Sequence, residues 1–72
     1  MPNTVFVHGL KVAFEENARP GIDYLSNDLD TNEARIFFDQ ARVKGSAQFE
    51  DDEDRQYTLF YQKDGSFVLA RR

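Results

Sequence analysis

Apolar residues recur with two different periods along this 72-residue chain. Between residues 4 and 14 they alternate: Val5 and Val7 with Phe6 and His8, then Leu10, Val12 and Phe14 with Lys11 and Ala13. A period of two marks extended chain with one buried face. Gly9 breaks the phase, so residues 4–14 make either one strand with a bulge or two short strands joined by a tight turn. Between residues 31 and 44 the period lengthens. Ala34, Phe37, Phe38 and Ala41 recur at i, i+3, i+4 and i+7, which predicts an amphipathic helix over about 31–44. Asp30 followed by Glu33 gives a capping box at its start, and Gly45 suits the left-handed position that ends it.

Alternation returns after Gly45. Ala47 and Phe49 alternate with Gln48 and Glu50, and Tyr57, Leu59 and Tyr61 with Gln56, Thr58 and Phe60. These patterns predict strands over about 46–50 and 55–62, and a third over about 66–71 follows Lys63-Asp64-Gly65. A two-residue Asp-Gly loop would set Tyr61 opposite Val68. A three-residue loop with Gly65 left-handed sets Tyr61 opposite Phe67 and Leu59 opposite Leu69, and gathers the large residues on one face. The second register is expected. Residues 15–27 hold no sustained period and read as a loop-rich connection, with Arg19-Pro20-Gly21-Ile22 as a type II turn. The fold class is α+β: one helix on an antiparallel sheet of three C-terminal strands, with one or two N-terminal strands, in a single domain over 1–72.

Two sets of apolar residues exceed what one helix face and one sheet face require. Ile36 and Val43 lie within about 20° of each other around the helix, nearly opposite its buried face. Either residues 15–25 fold over them or they meet a partner. Phe60 and Val68 point away from the Tyr57/Leu59/Tyr61 face and raise the same question.

Composition narrows the chemistry. There is no cysteine, which excludes disulfides and zinc-thiolate sites, and the 14% aromatic content supplies a core in their place. No stretch reaches the ~18 apolar residues of a membrane span, and Met1-Pro2-Asn3 shows no signal-peptide pattern. A cytoplasmic protein that avoids membranes is therefore expected. His8 is the single histidine, and Ser26, Ser46 and Ser66 stand in no recognisable nucleophile context. Asp28, Asp30 and Asn32 place oxygens at alternate positions, but Glu33 stands where a calcium loop needs glycine, and capping explains Asp30 and Glu33. No catalytic residue, cofactor or metal is expected, and the chain does not read as an enzyme.

Charge points to partners instead. Residues 1–34 carry the whole net charge of −4, and the balanced remainder packs Glu50, Asp51, Asp52, Glu53 and Asp54 into one run. Such a surface attracts basic proteins and repels nucleic acid. The expected function is a small acidic module that binds a larger protein with a basic surface and regulates or inhibits it. One such role is a phage-type or accessory inhibitor of host nucleic-acid machinery, a polymerase or a defence nuclease. Candidate partner-binding residues are Ile36, Val43, Phe60 and the run Glu50 to Asp54. The alternative is a single-stranded nucleic-acid-binding domain, with Tyr57 and Tyr61 stacking bases among Arg55, Lys63, Arg71 and Arg72. A second alternative is self-association, as a homodimer, through edge strands or the Ile36/Val43 stripe.

Overall fold

The computed structural model describes residues 3–72; Met1 and Pro2, the start of the segment read for a secretion signal, lie outside them. Strands β1 (Asn3–Val7) and β2 (Leu10–Phe14) form an antiparallel hairpin. His8 and Gly9 turn it, with φ of 51° and 85°. Positive φ at both central residues is the type I′ geometry that matches the twist of the flanking strands. Gly9 therefore marks a turn and not a bulge.

Residues 15–27 are not loop-rich. A 3₁₀ turn (Glu16–Ala18) leads into α1 (Arg19–Asp23), and a wide π turn (Tyr24–Asp28) follows. The π turn is closed by Leu29 N–H donating to Tyr24 C=O at 3.1 Å. Pro20 occupies the first turn of α1, where its missing N–H costs nothing. Gly21 lies inside α1 and so does not make the expected type II turn. Its role is close approach: a Cβ there would sit 2.9 Å from the Tyr57 ring and 3.0 Å from Leu69. Gly21→Ala is expected to cost about 1–3 kcal/mol of stability through overpacking, against a helix-propensity gain of at most about 1 kcal/mol. Denaturant unfolding checks this; a variant as stable as the unaltered chain would contradict the packing account.

Helix α2 (Thr31–Lys44) has the expected bounds and the full capping box: Glu33 N–H donates to Asp30 Oδ1, and Asp30 N–H donates to Glu33 Oε1. It ends at left-handed Gly45. Strands β3 (Ser46–Glu50), β4 (Gln56–Tyr61) and β5 (Phe67–Arg71) form a meander, with Tyr61 opposite Phe67 and Leu59 opposite Leu69 as expected. Gly65, at φ 91°, supplies the left-handed residue of that turn.

The sheet has five strands in the order β1-β2-β5-β4-β3, and it is mixed. The three C-terminal strands are antiparallel to one another, as expected; the expectation of a single helix is corrected by α1, and the sheet is mixed because the N-terminal hairpin joins it in parallel. β2 pairs parallel to β5, with Val12 opposite Phe67 and Phe14 opposite Leu69. Parallel neighbours need a long crossover, and the helical segment from residue 16 to residue 44 belongs to it. Val12, Phe14, Phe49, Tyr57, Leu59, Phe67 and Leu69 are buried on one sheet face beneath Ala18, Ile22, Leu25, Ala34, Phe38 and Ala41. No helix among the described residues is long and apolar enough to cross a membrane.

Candidate functional site

Side chains alternate across a pleated strand, so the residues between the buried ones form a second sheet face. No layer of the described chain covers it. Its central row crosses the whole sheet: Thr4 on β1, Ala13 on β2, Val68 on β5, Phe60 on β4 and Ser46 on β3 are successive register partners. Ala70 and Thr58 form the next row, ending at Gln48. Phe60 is 40% exposed and Phe6, at the β1 edge of the same face, 69% exposed. β2 ends at Phe14 while β5 runs on to Arg71, which leaves a groove beside this row lined by Ala13, Glu15, Asn17, Val68, Ala70 and Arg71. An apolar centre within a rim of Lys11, Gln48, Gln56 and Gln62 has the anatomy of a protein interface. The molecule extends 30 × 30 Å in its two long directions, so a face of this kind is of the size at which stable partners bury about 800 Å² each.

The other expected residues lie elsewhere. Ile36 and Val43 stand on the outer side of α2, 66% and 79% exposed. Residues 16–28 pack on the core side of the sheet and do not fold over that stripe, as Ala18, Ile22 and Leu25 in the core show. Glu50, Asp52, Glu53 and Asp54 are exposed at and beyond the end of β3.

Asp51 departs from its neighbours. It is buried and does not belong to a solvated, partner-facing tip. Its Oδ1 accepts from Glu53 N–H at 2.9 Å and Arg55 N–H at 3.0 Å. Its Oδ2 accepts from Arg55 Nε at 2.7 Å and from the Tyr57 hydroxyl at 3.0 Å. Burial alone would raise its pKa; the Arg55 guanidinium, the two backbone donors and Tyr57 outweigh burial and hold it at about 2. The carboxylate organises the β3–β4 turn and pins Tyr57 in the core.

The rings assigned to base stacking do not form a platform. Tyr57 is 0% exposed, stacked on Phe49 at 5.3 Å between ring centroids. Tyr61 is half-buried against Phe67. Arg55 is paired with Asp51, and Lys63, Arg71 and Arg72 are exposed. His8 sits in the β1–β2 turn. Its Nε2 lies 2.9 Å from Leu25 C=O and its Nδ1 3.1 Å from Thr31 Oγ, so one neutral tautomer donates to the first and accepts from the second.

Sequence reasoning placed Phe60 and Val68 together, opposite Tyr57, Leu59 and Tyr61, without deciding which of the two faces the helix covers, and missed Phe6 and Ala13. The signal was available. Once His8-Gly9 is a two-residue turn, Val5 pairs with Val12 on the buried side, and Phe6 and Ala13 must face the other way. The chain matches no known protein family, no curated protein and no solved structure.

Proposed function

We propose that this chain is a small non-enzymatic binding module that docks the uncovered face of its sheet against a larger protein and thereby regulates or inhibits it. The observation that carries the reading is the apolar row Ala13–Val68–Phe60, which spans the centre of a five-stranded sheet with nothing of the described chain over it. Two-layer folds normally turn such a face to water with polar side chains, and exposed apolar patches on small proteins mark interaction sites. His8, the one imidazole available for acid–base work, has both ring nitrogens engaged in structural contacts, which favours binding over catalysis. The exposed carboxylates Asp52, Glu53 and Asp54 suit a partner whose surface is basic beyond the apolar contact.

The reading is tested by affinity capture with the full chain and with the double variant Phe60→Asp, Val68→Asp, run side by side with Ile36→Asp. A protein retained in stoichiometric amount by the unaltered chain and by Ile36→Asp is expected to be lost by about tenfold or more in the double variant, the scale of a hot-spot truncation. Circular dichroism confirms that the double variant is folded. Equal retention by all three chains, or none by any, overturns the assignment of this face.

A further inference from the structure

β3 is one edge of the sheet. Its ladder to β4 is bracketed by two hydrogen bonds. Tyr61 N–H donates to Gly45 C=O at 3.1 Å, and Asp51 N–H donates to Arg55 C=O at 3.0 Å. Bonded and unbonded pairs alternate along an antiparallel ladder. The backbone groups of Ala47 and Phe49 therefore face β4, and those of Ser46, Gln48 and Glu50 point out of the sheet. All five residues hold register with β4, with no bulge, no proline and no lysine. Those are the devices that usually close an edge against a further strand.

The helix side of this edge carries an aromatic ledge. Tyr24 stacks on Phe49 at 6.0 Å and Phe37 packs on it at 5.3 Å, both rings half-buried. Carboxylates gather here. Burial first, then Asp52, Asp28 and Glu33, push the Tyr24 phenol above its ordinary range. Asp28 is likewise raised, by partial loss of solvent and then by Asp52 beside it. Glu50 adds a carboxylate on the opposite side of the strand, and Arg55, the cation of the adjoining turn, is committed to Asp51. β1, the other edge, has no charged residue and so nothing that selects by charge.

We infer that β3 is a strand-addition site for an extended basic segment of a partner protein. The segment's backbone pairs with Ser46, Gln48 and Glu50; its apolar side chains lie on the Tyr24/Phe37 ledge; its alternate cations lie on the Glu50 side, and one beyond the end of the paired strand reaches Asp52. Main-chain bonds give such sites their affinity and alternate side chains their specificity. The site uses the outward backbone groups of the β3 edge, whereas the sheet face uses the apolar side chains of β2, β5 and β4; the two adjoin at Ser46 and Gln48 but draw on different groups.

The test uses a fluorescently labelled heptapeptide of alternating lysine and valine, titrated with the full chain and read by anisotropy. Two controls are the glutamate–valine counterpart and a lysine–valine peptide with a central proline. The first peptide is expected to bind about tenfold tighter or more than either control. Gln48→Pro is expected to weaken it by about tenfold, because proline at an outward-facing edge position blocks a new strand without removing a bond of the sheet. Val43→Ser, on the outer side of α2, should leave it unchanged. Amide shifts of the unaltered protein should move at Ser46, Gln48 and Glu50, which keeps the test decisive if Gln48→Pro fails to fold. Three results overturn the inference: no binding, equal affinity for the proline-interrupted peptide, or shifts confined to Asp52–Asp54, which is loose attraction of a polycation to acidic residues.

Discussion

Asp51→Ala is expected to lower the free energy of unfolding by about 3–5 kcal/mol, the range seen when one partner of a buried, hydrogen-bonded charge is removed. The carboxylate accepts four hydrogen bonds, from Glu53 N–H, Arg55 N–H, Arg55 Nε and the Tyr57 hydroxyl. Alanine leaves the Tyr57 hydroxyl buried without an acceptor and the turn Asp51–Arg55 without its organiser. A domain of this size has on the order of 4–11 kcal/mol of stability in all. Denaturant unfolding by circular dichroism measures the loss. A change under about 1 kcal/mol would show that this network is dispensable.

The same group sets an acid limit. Its folded pKa, about 2, lies below its ordinary value of 3.8. A depressed carboxyl pKa gives stability that is complete above the unfolded value and is lost as pH falls through the folded one. Asp51 therefore contributes in full above about pH 4 and loses about 2 kcal/mol between pH 4 and pH 2. Asp51→Asn keeps the shape without the titration. Its stability should fall less steeply over that window, and parallel curves for the two proteins would count against this assignment.

Asp51 also marks where the sequence was hard to read. It sits in an unbroken run of acids, and nothing in the run distinguishes the carboxylate that turns inward. What separates it is a non-local fact: Tyr57, six residues on, needs an acceptor in the core. Gly21 is similar. Pro-Gly is a turn signal by local preference, yet the space for that glycine is set by the Tyr57 ring. The parallel pairing of β2 with β5 has no local signature either, since it depends on how the roughly fifty residues between them, helical layer, β3 and β4 included, lie on the sheet. The legible parts were those that local chemistry decides. Asp30, Glu33 and Gly45 bound α2; Gly65 sets the β4–β5 register, and that register places Phe60 and Val68 together on the face opposite Tyr57, Leu59 and Tyr61. The N-terminal half of the face stayed hidden because Gly9 allowed two phases for the residues around it.

Phe38→Ala is expected to cost about 3–5 kcal/mol, the range for a buried aromatic truncated to alanine, while Ile36→Asp changes stability by no more than about 0.5 kcal/mol. Both residues lie on α2, two positions apart. Phe38 meets Phe67 edge-on at 4.8 Å, in the layer where the helix rests on the sheet. Removing its ring opens a cavity between rigid elements that cannot close around it. Ile36 is 66% exposed on the far side, and a carboxylate there stays in water. The contrast decides what the second apolar stripe of the helix is. A large loss from Ile36→Asp in the isolated chain would mean that some segment folds over that side in solution. A small one leaves Ile36 and Val43 as free surface, without a part in holding α2 down. Stability would then rest on the Phe38 side of the helix, and the open sheet face could change to suit a partner without unseating the helical layer that supports it.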